Sequence, residues 1–195
     1  MIPSPLKNAA CLFLAEEDHA KTGSNCLAVI EAATLVKLAE NFLAEGFHLE
    51  DISGLVVSEG AVSVYHFDHF DKPCRCTVLV IAPLNAAKFP SIAAVYQGAE
   101  WHERETRDFY GFAYEGNPNF IPLLLAEDMV DVHPLKKDAS ALAPLLAIFG
   151  APERNRKVVG KAESFTLLDL PEPEVKEEKA GEAPREAAGK GDSDA

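Results

Sequence analysis

The order of apolar and polar positions divides the chain into stretches of different period. Leu35, Leu38, Phe42 and Leu43 recur at helical spacing, with Lys37, Glu40 and Glu45 on the remaining surface, which predicts an amphipathic helix within 27–47 that stops at Gly46. Glycine just past the last turn is the usual left-handed cap. From Asp51 to Pro83 the pattern becomes β-branched and aromatic: Gly54–Val57, Ala61–Phe67 and Cys76–Ile81 are separated by Glu59-Gly60 and Asp71-Lys72-Pro73. These runs predict three antiparallel strands. The short strand-like run Leu27–Ile30 joins or flanks the same sheet, its pairing left open by the sequence. A second helix is predicted from about Ala99 to Tyr110, closed by Gly111 and followed by the turn-rich Glu115-Gly116-Asn117-Pro118.

The fold class that follows is α+β, an antiparallel sheet of three or more strands packed with two helices and followed by an irregular, extended segment. Residues 1–138 form the domain and 139–170 the irregular extension. Residues 171–195, beginning Pro171-Glu172-Pro173-Glu174, hold almost no large apolar side chain, so folding cannot offset their conformational entropy and a disordered acidic tail is expected.

Composition narrows the function classes. With 48% hydrophobic and 25% charged residues the chain resembles an ordinary globular protein, and its formal net charge of -13 disfavours nucleic acid and anionic membranes as partners. The longest nearly continuous apolar stretch, Val78 to Leu84, is far short of the roughly 20 residues of a membrane-spanning helix, and Met1–Ala10 does not read as a secretory signal. A cytoplasmic location without a membrane span is expected. Cys11, Cys26, Cys74 and Cys76 are too few and too irregularly placed for a secreted disulfide framework and are expected to be reduced.

Chemistry-bearing motifs are scarce. The chain has no Gly-x-Gly-x-x-Gly, no Gly-x-x-x-x-Gly-Lys and no His-Glu-x-x-His, and Cys74-Arg75-Cys76 is a lone pair with the wrong spacing for an iron–sulfur cluster. One constellation competes. His66, His69, Cys74 and Cys76 lie around a predicted hairpin and would be the ligands of a stand-alone metal-binding protein. The alternative is an ordinary strand pair with two small buried thiols.

The stretch 97–111 is unusual for its charges. Glu100 and Arg104, Glu103 and Arg107, and Arg104 and Asp108 are each four apart, which on a solvated helix gives about 0.2–0.5 kcal/mol per pair. Trp101, Glu105 and Phe109 are also four apart, so a carboxylate interrupts an apolar stripe, and a buried or interfacial Glu105 would require a partner, an arginine being the natural one.

Glu103-Arg104-Glu105, Asp108-Phe109 and Tyr110-Gly111 resemble the signature of the respiratory complex I 30 kDa subunit family, the family of the C-type subunit of NADH-quinone oxidoreductase, which includes the related subunit of membrane-bound group 4 nickel-iron hydrogenases. The resemblance extends upstream through Pro90-Ser91-Ile92, Gly98-Ala99 and Trp101. Downstream it runs through Glu115-Gly116, Pro118, Glu127-Asp128 and His133-Pro134-Leu135-Lys136-Lys137-Asp138. Asn117 stands where members often have His, Ile121-Pro122 where basic residues are common, and Lys136 where the motif usually has Arg, a loss of a bidentate fork.

The resemblance implies a structural subunit of the peripheral arm of a complex I-like NADH:quinone oxidoreductase, on the cytoplasmic side of the cell membrane. Such a subunit docks on the large 49 kDa-type quinone-site subunit, beside the iron–sulfur subunits, and supports electron transfer and ion translocation. An equivalent role in a nickel-iron hydrogenase or a formate or carbon-monoxide linked complex is the alternative. No catalytic, cofactor-binding or metal residue is implied in this chain, the NADH or other donor, iron–sulfur clusters and quinone or nickel-iron centre belonging to partners. The residues implied at the subunit interface are Trp101, Glu103, Arg104, Glu105, Asp108, Phe109, Tyr110, Gly111, His133, Pro134, Lys136, Lys137 and Asp138.

Overall fold

The structure, a computed structural model, describes residues 2–138, 141–149 and 157–158. The expected tail, 171–195, lies outside the described residues. In chain order the elements are α1 (Ser4–Lys7), β1 (Cys11–Glu16), α2 (His19–Thr22), β2 (Cys26–Ile30), α3 (Ala32–Ala44), β3 (Phe47–Val57), β4 (Gly60–His69) and β5 (Cys76–Ala82). They continue with β6 (Lys88–Pro90), α4 (Ala99–Tyr110), β7 (Ala113–Glu115), α5 (Leu145–Phe149) and β8 (Lys157–Val158).

The main sheet has the order β3-β4-β5-β2-β1-β8. β3, β4 and β5 form the antiparallel meander expected from the sequence. The run around Leu27–Ile30 does join it, in parallel register with β5, so the sheet is mixed. Burial explains the order. All residues of β2 are buried, as a strand with partners on both sides and apolar cover on both faces must be. β1, at Cys11–Glu16, was not foreseen; a register shift between Cys11 and Phe13 leaves Leu12 41% exposed and spoils the alternation that marks a strand.

β3 begins at Phe47, immediately after the left-handed Gly46 (φ 87°), and takes in the polar His48–Asp51, which the apolar pattern alone leaves outside. A bulge between Leu49 and Asp51 accommodates them at the sheet edge. Within the stretch read as an irregular extension, β8 pairs with β1 and Leu145 at the start of α5 is buried, its amide donating to the Glu59 carboxylate at 3.0 Å.

One face of the sheet carries the larger core. There α3 buries Leu35, Leu38 and Phe42 against Phe67, and the β6–α4–β7 unit adds Phe89, Ile92, Phe112 and Tyr114. β6 and β7 pair in parallel and hold α4 over β3. Among the described residues no helix is long and apolar enough to cross a membrane.

Candidate functional site

α4 packs onto β3 and comes very near it at Gly54. A Cβ added to Gly54 would stand 2.6 Å from Tyr110 Cδ2 and 2.8 Å from Thr106 Cγ2, so only glycine lets strand and helix come this near. The face α4 turns inward is polar: Glu103 and Asp108 are 0% exposed and Arg104 is 7% exposed. Buried charges need full sets of hydrogen bonds, and each of these has one.

Glu103 accepts from Ser91 Oγ at 2.7 Å, from the Ile92 amide at 2.8 Å and from Asn117 Nδ2 at 2.8 Å. Burial pushes its carboxyl up from the usual carboxylate value, and those three donors only partly offset the shift. Arg104 donates from Nε to the Ile121 carbonyl and from Nη2 to the Pro122 carbonyl, both at 2.9 Å, and lies 3.6 Å from Glu100. Asp108 Oδ2 accepts from the consecutive amides of Leu123, Leu124 and Leu125 at 2.8, 2.8 and 3.2 Å, and Oδ1 from Arg107 at 3.2 Å. Burial alone would raise the Asp108 pKa, but the three amides and Arg107 outweigh it and hold the carboxyl below its ordinary value.

The expected surface ladder is thereby corrected. Of its three pairs, Glu100–Arg104 forms, whereas Glu103 bonds to segments outside the helix and Asp108 divides its oxygens between the 123–125 amides and its neighbour Arg107. Tertiary donors win because the residues are buried, where an unmatched backbone amide costs more than an exposed ion pair gains. Arg104 correspondingly turns into the chain, onto the carbonyls of Ile121 and Pro122.

The last turn of α4 is capped from a distance. Gly111 adopts φ 76° and donates to the Arg107 carbonyl at 2.8 Å. His133 Nδ1 lies 3.1 Å from the Asp108 carbonyl and the Leu135 amide donates to the Phe109 carbonyl at 3.0 Å, so the His133-Pro134 segment occupies carbonyls a helix end leaves unpaired. A Cβ on Gly111 would stand 2.9 Å from the His133 ring, a second reason for glycine there. Pro134, Lys136, Lys137 and Asp138 are exposed beyond this cap.

The outward face of α4 has the opposite character. Trp101 is 62% exposed, Glu105 is exposed and Phe109 is half-buried. The loop held by Arg104 and Asp108 exposes Ile121 and Leu124, and the segment of the helix cap exposes Val132 and Leu135, all about half exposed or more. A cavity of about 230 Å³ opens between β3 and α4, with Asp51, Glu105, Phe109 and Leu135 in its lining.

The rival ligand set is not brought together. His69 uses both ring nitrogens, Nε2 at 3.1 Å from the Glu45 carbonyl and Nδ1 accepting from the Asp71 amide at 3.1 Å. His66 lies 3.2 Å from Thr77 on the opposite face of β4. Cys76 is buried beside its register partner Cys26; their hydrogen bond, then that with Cys74 and burial, push its thiol far up. Among the described residues no group of three or more His, Cys, Asp or Glu is placed to hold a metal ion.

Ser91, Asn117 and Gly54 complete the site and escaped the sequence reading as functional residues. Ser91 and Asn117 carried only their places in the family pattern, and Gly54 was read as the start of a strand.

Residues 28–144 match the family described as respiratory-chain NADH dehydrogenase, 30 Kd subunit. Over 93 residues the chain is 33% identical to the C subunit of F(420)H(2) dehydrogenase from Methanosarcina mazei, covering 47% of this chain and 59% of that protein. It is 36% identical over 89 residues to the C subunit of NADH-quinone oxidoreductase from Chloroherpeton thalassium, covering 45% of this chain and 37% of that one. The chain therefore spans less than two thirds of the length of these relatives. Among solved structures it resembles a chain of the membrane-bound sulfane sulfur reductase, an archaeal respiratory membrane complex, with a TM-score of 0.59 and 23% identity over 74% of this chain and 84% of that one, a likeness of fold.

Proposed function

This chain belongs to the respiratory-chain NADH dehydrogenase 30 kDa subunit family, and from that premise we propose that it is a non-catalytic docking subunit in the peripheral arm of a complex I-like oxidoreductase. It seats on the large quinone-site subunit through the outward face of α4 and the adjoining loop, and lies on the cytoplasmic side of the membrane. Redox centres are carried by its partners. The observation that carries this reading is the division of α4: Arg104 and Asp108 turn inward to hold the 121–125 loop, while Trp101, Phe109, Ile121 and Leu124 are left as apolar surface. Energy spent on burying charges inside the chain makes sense if the loop they hold must present a fixed shape to something else.

Relatives named for different electron donors, F(420)H(2) and NADH, match at nearly equal identity, 33% and 36%. This supports a role at a shared core, with donor choice residing in other subunits. The test is affinity purification of the full chain from detergent-solubilised membranes with metal analysis of the eluate and of the free chain. Co-purifying iron–sulfur subunits and a free chain without stoichiometric iron, zinc or nickel are expected. A soluble monomer that brings down none of them, or about one metal per free chain surviving chelation, contradicts the reading.

A further inference from the structure

The cavity between β3 and α4 has carboxylates from both elements. Asp51 comes from the strand and Glu105 from the helix, Phe109 and Leu135 supply apolar contacts, and among the described residues no lysine or arginine lines it. Asp51 has His102 Nδ1 at 3.3 Å. Glu105 is exposed and makes no hydrogen bond or ion pair among the described residues. At about 230 Å³ the cavity falls below the roughly 300–1,000 Å³ of small-molecule sites and suits a single long side chain.

Resting on the docking reading above, we infer that this slot receives one long basic side chain from the partner subunit, a guanidinium matching it best. Three features select that occupant. With the His102 imidazole beside Asp51 and no partner on Glu105 among the described residues, the two carboxylates leave a negative site that a cation neutralises. The apolar contacts from Phe109 and Leu135 fit an aliphatic stem, which long basic side chains lay along apolar surface while the charged head reaches its partner. A planar guanidinium can fork to one carboxylate while facing the other, and is less costly to desolvate than an ammonium. Leu135 in its lining is itself exposed, so a side chain entering the slot anchors the apolar contact around it.

The experiment places a photo-crosslinking phenylalanine analogue at Leu135 in the full-length tagged chain, assembled in its own membranes, and identifies the cross-linked partner peptide by mass spectrometry. In parallel, partner recovery is compared for wild type, Glu105→Gln and Glu105→Lys. The expected peptide contains an arginine or lysine. Recovery with Glu105→Gln falls at least about tenfold, which is about 1.4 kcal/mol. Glu105→Lys falls further and is restored by an acidic residue in place of the cross-linked basic one. A cross-linked peptide without a basic residue overturns the inference whatever the variants do, as does equal recovery of Glu105→Gln from a complex that wild type assembles. Wild type that recovers no iron–sulfur subunit overturns the docking reading itself, and this inference with it.

Discussion

The Asp108 carboxylate accepts the Leu124 amide at 2.8 Å, across sixteen residues of chain, and the same oxygen also takes the amides of Leu123 and Leu125. Three successive N–H groups converging on one anion form a nest, a motif better known for binding free phosphate or carboxylate. Here the anion is built into α4, and its effect is to fix the loop that carries Ile121 and Leu124. Arg104 does the same from the other polarity, by donating to the carbonyls of Ile121 and Pro122.

Removing either clamp is therefore expected to destabilise the free chain. Asp108→Ala leaves three amides without their acceptor and should cost about 3–5 kcal/mol, and Arg104→Ala about 1–3 kcal/mol. Glu105→Ala, on the exposed side of the same helix, should cost less than about 0.5 kcal/mol. Chemical denaturation of the three variants checks the order. Hydrogen exchange at Leu123–Leu125 should accelerate in the first variant and stay unchanged in the third.

Glu103 and Asp108, five positions apart on one helix, should give opposite pH dependences. Asp108 has its folded pKa depressed below the ordinary 3.8, so its stabilisation is present above that value and is lost as pH falls through the folded pKa. Glu103 has its folded pKa raised above 4.5, so its contribution is full below that value and is lost as pH rises through the folded pKa. Asp108→Asn should flatten the acid limb of the stability profile, and Glu103→Gln should remove the decline above the ordinary glutamate value. Urea midpoints from acid to neutral pH test both, and matching slopes in the two variants would contradict the assignment.

Three glycines separate backbone strain from crowding. Gly111→Ala meets both, with φ 76° and a Cβ 2.9 Å from His133, and should cost about 2–3 kcal/mol. Gly54→Ala meets crowding alone, with Tyr110 at 2.6 Å, and should cost about 1–3 kcal/mol by lifting α4 from β3. Gly98 has open space around its would-be Cβ and φ -61°, so Gly98→Ala should be neutral or stabilise by up to about 1 kcal/mol. Thermal melts of the three variants give the ranking directly.

Where a feature depends on local chemistry, the sequence reading and the structure agree. The period of Leu35, Leu38 and Phe42 located α3, the β-branched runs located β4 and β5, and Gly111 marked the end of α4 because a left-handed cap is a local requirement. What depended on partners far along the chain was illegible. The parallel pairing of β2 with β5 joins residues fifty apart, as in Cys26 and Cys76, and no periodicity encodes it. The spacing of Glu103, Arg104, Asp108 and Arg107 allowed a surface ladder, and only the arrival of Ser91, Asn117 and the 121–125 loop turned those charges inward. Closeness in sequence likewise grouped His66 with His69, which the pleat of β4 then sent to opposite faces.

The central claim, that α4 holds the chain together with one face and holds a partner with the other, rests most directly on Trp101. Its large, 62% exposed ring lies outside the described core, and buried aromatic anchors at interfaces typically lose at least about 2 kcal/mol on truncation. The decisive measurement is the amount of large subunit recovered per folded chain when Trp101→Ala is purified from detergent-solubilised membranes alongside wild type. The account requires recovery to fall more than about tenfold while the melting temperature of the free chain stays that of wild type. Equal recovery of the partner with Trp101→Ala would contradict it.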